Sequence, residues 1–507
     1  MWMSEKGRIG LTILGVAGLF GILGDALLRS TPWGLNLLLW MIPFAFAVLL
    51  LSPVRPAALQ GGGGWLVVLL LTLTAAFIWR DSPVLKALSV LGIMIALALL
   101  LLRAQGGHVR TAAIVEYLVV GALTGLNAVA GALHLMLSDF PWGQLLNRQT
   151  ARRPMALARG LALALPLLLL FGGLLVAGDP IFAAIVQRVL FPDFSVVLTV
   201  ITHCAVIGVV TWIVAGYLRG LLVGDEHARL SRLNLPAPRL GSTETSIVLG
   251  LLDVLFLLFV LVQVRYLFGG APLVGIKPGL TYAEYARQGF FELVAVAALA
   301  LPILLGAHWL LRKEEEAGEQ RFRLLALVQV LLLFVIMASA IDRMVLYQRE
   351  YGQTELRLYT SAFMGWLGLV FLWFLLTVLR GRRRCFMFGA TLAGFAVLGS
   401  LYAVNPDATI ARVNLARATA GHGFDSSYAA SLSADAIPVL VAGLPSLSPN
   451  DRSSLARDLL QKWQAADSGD WRVWSLSRGK AERWMSKYRP LLASLAGEGA
   501  GKGPSSP

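Results

Sequence analysis

The sequence predicts an all-α fold, a polytopic transmembrane bundle of about twelve or thirteen helices followed by a small helical extracytoplasmic C-terminal domain. Three observations predict it. Of 507 residues, 57% are hydrophobic and only 14% are charged, against about 25% charged in soluble domains. Run after run approaches the roughly 20 apolar residues that cross a bilayer, and none alternates with the period of two that a barrel strand requires. The formal charge of +14 gathers in short loops between the runs, as cytoplasmic loops of membrane proteins do.

Taken in order, the expected spans are 9–28, 33–51, 65–79, 84–102, 111–137, 161–178, 195–218, 245–268, 290–311, 324–346, 359–379 and 386–404. Lys6 and Arg8 precede the first run and no small-residue cleavage site follows it, so it reads as a span rather than a removed leader. "GGGGW" at 61–65 follows no strand and reads as a loop, not a phosphate cradle. Pro166 and Pro302 lie within runs, which neighbouring helices tolerate. Segment 111–137 carries Gly121, Gly125, Asn127 and Gly131 and reads either as one helix or as a re-entrant hairpin. No internal repeat stands out.

Loops 138–160, 219–243, 312–323 and 380–385 together hold sixteen Arg and Lys. The alternate loops 179–194, 269–289 and 347–358 hold five, which places the first set in the cytoplasm and residues 349–359 and the tail outside. Lys6, Arg8, Arg55, Arg103 and Arg110 favour a cytoplasmic N-terminus, one crossing out of step with the rest; segment 111–137 is where the count is open.

The domain organisation that follows is a bundle over 1–404, a helical extracytoplasmic tail over 405–490, and a disordered end over 491–507. "LSPNDRSSLARDLLQKW" offers Ser448 or Asn450 as a cap and sets Leu455, Leu459, Leu460 and Trp463 on one side. "DWRVWSLSRGKAERWMSKY" reads as a second helix with Trp471, Trp474, Trp484 and Tyr488.

Ionisable residues within spans cost several kcal/mol (~3 by insertion scales) unless paired or wet, so they are the candidates for chemistry. The outer cluster is Arg265, Tyr282, Glu284, Tyr285, Arg287, Asp342, Arg343, Tyr347, Tyr351, Glu355, Arg357 and Tyr359, with Arg412, Asn414 and Arg417 of the tail nearby. Converging guanidinium forks would bind a lipid phosphate or another small anion. Arg–Glu pairs and tyrosines that merely tie the spans together at headgroup level are the bland alternative. Glu116, Asn127 and His134 fall near one helical face, a polar stripe or a lone amide between helices. Asp253 and Glu292 complete the intramembrane polar set, and Asp253 needs a partner, a coupling ion being one. His203 reads as core.

No Walker loop, Gly-x-Ser-x-Gly elbow or His-Glu-x-x-His appears, so no catalytic residue is assigned. Two cysteines, Cys204 and Cys385, make neither a disulfide framework nor a zinc site, and no metal or cofactor is expected. The basic charge lacks an aromatic-basic module, which excludes nucleic acid as a partner. The expected partners are the bilayer, a lipid or small anion, and an envelope protein. The function classes are a secondary transporter or lipid- and anion-handling protein, a non-catalytic scaffold or sensor, and last a membrane enzyme.

"WRDSPVLKAL", "DEHARLSRLNLP", "STETSIVLGLLDVLFLLFVLVQVRYLFGG", "TYAEYARQGFFELV", "YGQTELRLYTSAFMGWLGLVFLWF", "NPDATIARVNLAR", "YAASLSADAIPVL" and "DWRVWSLSR" resemble blocks of a bacterial membrane-protein family, the domain-of-unknown-function family 4173, and of its relative 4153. The resemblance implies a place in the bacterial inner membrane and supplies no substrate or catalytic residue.

Overall fold

The computed structural model describes residues 5–54, 63–139, 171–183, 194–224, 240–268, 290–311, 316–464 and 469–498, with 160, 164 and 168. Those residues are helical and contain no strand; a single main-chain bridge pairs Leu240 with Leu311. Nine helices among them are long and apolar enough to cross a membrane. The chain is a multi-pass membrane protein.

The helices are α1 (Glu5–Leu28), α2 (Leu35–Leu51), α3 (Gly64–Trp79), α4 (Pro83–Ala104), α5 (Ile114–His134), α6 (Phe194–Leu222), α7 (Ser242–Phe268), α8 (Phe290–Leu310), α9 (Glu316–Tyr351), α10 (Glu355–Thr377) and α11 (Phe386–Val404). Beyond them lie α12 (Pro406–Thr419), α13 (Ser426–Ser431), α14 (Ile437–Gly443), α15 (Pro449–Gln464) and α16 (Leu476–Glu498). Apolar helices α2 and α3 fall short of full span length. Of the expected span at 161–178, residues 164, 168 and 171–178 are described and are helical.

One open reading is decided and two expectations are corrected. Of the two alternatives for segment 111–137, the structure shows the single helix: α5 starts at Ile114 and runs on through a π-helical turn to Asp139, with no re-entrant break. One of its glycines, Gly131, serves packing, while Gly121 and Gly125 have nothing within 4 Å of an added Cβ among the described residues. A Cβ on Gly131 would lie 2.8 Å from the Gly216 carbonyl oxygen of α6, so the absence of a side chain lets the two backbones approach. Helix α9 does not stop at 346 but continues to Tyr351, 36 residues in all. At 1.5 Å per residue that is about 54 Å, more than the ~30 Å hydrocarbon core. Finally, Trp471–Val473 form a separate 3₁₀ turn capped by Asp470, and α16 begins at Leu476 and stays helical to Glu498, beyond the expected limit of 490. The cap of α15 is Ser448, whose Oγ accepts from the Asp451 N–H at 3.2 Å and donates to its carboxylate at 2.7 Å.

The chain divides into two compact units. One comprises residues 1–71, 97–106 and 119–229; the other comprises 72–96, 107–118 and 230–507. In the first, α1 packs along α6 where Gly21 and Gly24 face Ile207, Val210 and Thr211. The second holds α7–α11 together with the C-terminal helices. Its membrane core is built on Val330, Leu333, Phe371 and Phe374, and a further core on Ile410, Leu440, Leu455, Leu459 and Leu492 joins α12–α16.

Candidate functional site

Asn405 is the joint between α11 and the C-terminal helices. It adopts φ 58°, a left-handed conformation that asparagine tolerates, closes α11 and caps α12, with Pro406 pre-set at the first helical position. This turn places Asp407 inside the protein, 0% exposed.

The residues between α3 and α4, Arg80–Ser82, meet the C-terminal helices in a buried polar network. Asp435, just before α14, is its centre. One carboxylate oxygen accepts the Asp81 backbone N–H at 2.7 Å. The other lies 2.5 Å from Ser477 Oγ and 3.4 Å from the Arg80 guanidinium. Arg80 Nε donates to the Tyr402 carbonyl at 3.0 Å, and the guanidinium lies 5.0 Å from the Trp79 ring centroid. The Asp81 carboxylate is shared between Lys86 Nζ at 2.6 Å and Arg478 Nε at 2.9 Å. Ser82 and Ser89 pair with the Tyr359 and Tyr402 hydroxyls at 3.1 and 2.8 Å. The geometry holds elements together and gives both oxygens of the Asp81 and Asp435 carboxylates a partner.

Asp407 is the exception. Ser433 gives its backbone N–H and its hydroxyl to Oδ2, while Oδ1 has no hydrogen-bond partner among the described residues. Burial pushes its pKa up to about 6, and Glu355 and Asp435 add to the rise while the Ser433 bonds oppose it. Lys462 gives its ammonium to the carbonyls of Ala430, Ser431 and Leu432 at the end of α13, and burial lowers its pKa.

The outer cluster is only partly within view. Tyr282, Glu284, Tyr285 and Arg287 lie outside the described residues, as does the side chain of Arg265. Between α9 and α10 the turn is only Gly352–Thr354. Gly352 has φ +78°, and Thr354 caps α10. Arg357 donates to the Gly352 carbonyl, and its guanidinium lies 3.9 Å from the centroid of Tyr347, which in turn meets Tyr351 edge-on. Arg417 of α12 donates to the Arg349 carbonyl at 3.0 Å and to that of Glu350. Asn414 exchanges two bonds with the Gln353 backbone, at 2.8 and 2.9 Å, and Tyr428 accepts the Glu355 N–H at 2.9 Å. Arg357 and Arg417 therefore face main-chain carbonyls at the end of α9, where a cation also meets the helix dipole. Arg343 and Tyr359 are half-buried; Asp342, Glu350 and Glu292 are exposed.

The sequence stripe of Glu116, Asn127 and His134 does not close into a relay. Asn127 packs against Gly220, its Nδ2 without a hydrogen-bond partner among the described residues; Glu116 is half-buried, and exposed His134 meets Ser138 at 3.5 Å. His203, expected as core, instead bridges Asp25 and Arg29 of α1, with each contact 2.5 Å. Sequence reasoning did not single out Arg80, Asp81, Lys86, Ser433, Asp435, Ser477 or Arg478. The available signal was an Arg-Asp-Ser run placed directly after an apolar helix, a charged stop with no room to be a loop.

Replacing Gly352 with alanine is an expected local lesion. The added Cβ would stand 2.6 Å from both Asn414 Oδ1 and Arg417 Nη1, at a φ that L-residues avoid. The left-handed conformation alone costs about 1–2 kcal/mol, so the thermal midpoint of the purified protein should fall; an unchanged midpoint would contradict the docking described.

No curated protein and no solved structure matches the chain. A family profile, described as a domain of unknown function, matches residues 65–443. It is the second of the two families that the sequence resembles, and the match includes the α3–α4 turn, Asp407 and Asp435. The chain belongs to the domain-of-unknown-function family DUF4153.

Proposed function

We propose that the protein is a non-catalytic component of a bacterial inner membrane that holds its C-terminal helices on the extracytoplasmic side as a fixed platform for an envelope partner. The observation that carries this reading is the network around Asp435 and Asp81. It ties the turn after α3, the end of α11, the segment before α14 and the start of α16 with buried charge-assisted bonds, which are roughly twice as strong as neutral ones. A free-swinging tail would need none of them. Transport or lipid- and anion-handling by the outer Arg/Tyr/Glu set is the weaker reading, because Arg357 and Arg417 direct their donors to main-chain carbonyls.

The test combines sidedness with contact. A periplasm-dependent reporter fused after Val404 is expected to be active; cytoplasmic readout overturns the reading. A photo-crosslinker at Trp471, which is 61% exposed, is expected to yield one discrete protein adduct in intact cells, weakened in Asp435→Ala at matched expression. Lipid adducts alone would overturn the platform role.

A further inference from the structure

Two polar side chains deep in the second unit have no use in that network. Asp253 on α7 is 7% exposed and Gln329 on α9 is 0% exposed. Among the described residues neither carboxylate oxygen of the first, and neither amide atom of the second, has a hydrogen-bond partner.

Their levels follow from the packing. The Leu240 N–H donates to the Leu310 carbonyl, so α7 starts where α8 ends. His308 of α8 stacks on Phe322 of α9 at 4.8 Å, so α9 also starts there. Helices α7 and α9 therefore run parallel, and they pack extensively against each other. Ser339 Oγ donates to Gln263 Oε1 at 3.0 Å and fixes their register. Stepping back three, four and three residues on each helix leads from Gln263 to Asp253 and from Ser339 to Gln329. Both steps stay on the packed seam, about 15 Å deeper at 1.5 Å per residue. Leu249, Phe256 and Val260 flank Asp253, and Ile336 lies above Gln329. Ionisable groups on these helices sit toward the ends: Glu244 on α7, the Glu319–Arg323 pair and Asp342–Arg343 on α9, Glu292 and His308 on α8.

We propose that Asp253 and Gln329 form a mid-membrane proton-binding site. An ionised carboxylate here could accept from the Gln329 amide, but it would leave Gln329 Oε1 unpaired and a bare charge in a low-dielectric seam. The two side chains are not bonded to each other in this structure; one added proton, with a side-chain rotation that brings them together, resolves both. Asp253 Oδ2–H donates to Gln329 Oε1, and Gln329 Nε2–H donates to Asp253 Oδ1, a closed carboxyl–amide pair. No other group needs to move a charge. The site goes beyond the platform role and gives the membrane helices a titratable element of their own.

Infrared spectroscopy of the full-length protein in lipid nanodiscs tests it. A protonated carboxyl band is expected at neutral pH, lost in Asp253→Asn and shifted to higher frequency in Gln329→Leu, which removes the acceptor. Asp253→Asn can still pair amide to amide with Gln329, so a near-native thermal midpoint is expected. Absence of the band at neutral pH in wild type overturns the proposal, whether or not sodium then stabilises the protein; a band that Gln329→Leu leaves unmoved overturns it equally. Failure here leaves the crosslinking result untouched, since none of these residues belongs to α12–α16.

Discussion

Asp435→Ala is expected to destabilise the second unit by about 3–5 kcal/mol, the range for breaking a buried charge network by removing one partner. Truncation takes the acceptor from the Asp81 backbone N–H and from Ser477, and it leaves the Arg80 guanidinium without its carboxylate. A buried orphaned donor alone costs about 1–3 kcal/mol. The visible result should be proteolysis within 405–498 under conditions where the wild type resists, together with a lower thermal midpoint. Glu319→Ala is the matched control. Its pair with Arg323 is shorter, 2.6 Å against 3.4 Å for Arg80–Asp435, but both side chains are 42% exposed, and an exposed i,i+4 pair is worth about 0.3–0.5 kcal/mol. A loss below about 1 kcal/mol for Asp435→Ala would mean that the network ornaments the docking rather than holding it.

Span existence was legible because it is local: about twenty apolar residues in a row admit few structures other than a membrane helix. Edges were less legible. Residues 347–351 of α9 are polar, and polarity reads as loop, yet the helix continues to Tyr351 and ends at Gly352, whose φ is +78°. The Arg357 and Arg417 acceptors were invisible because they are main-chain carbonyls, which every sequence contains. Asp81 and Arg478 are 397 positions apart, and their pairing exists only once α3, α4 and α16 are placed. What the sequence did carry was coarser. Arg80, Asp407, Asp435 and Arg478 all fall within four of the blocks that resemble the family, so the unusual stretches of the chain are the ones that meet in space.

Asp407 should make the second unit less stable as pH rises through the range from about 4 to 6, opposite in sign to an ordinary salt-bridged carboxylate. Its folded-state pKa, pushed up by burial from 3.8 to about 6, exceeds the unfolded value. Between those values the folded chain holds a proton that the unfolded chain has released, so stability is full below the unfolded pKa and is lost as pH climbs through the folded one. A shift of about 2 units corresponds to about 3 kcal/mol between pH 4 and pH 7. Other carboxylates titrate in the same window, so the measurement is the difference between wild type and Asp407→Asn. The asparagine carbonyl can replace Oδ2 as acceptor for the Ser433 N–H and hydroxyl, and it carries no charge at any pH. Relative to wild type, the variant should gain about 3 kcal/mol from pH 4 to pH 7. A flat difference would show that the carboxyl is not held neutral by burial. A difference of the other sign would mean that Oδ1 finds a donor that outweighs it, and Asp407 would then clamp the joint at Asn405 as an anion.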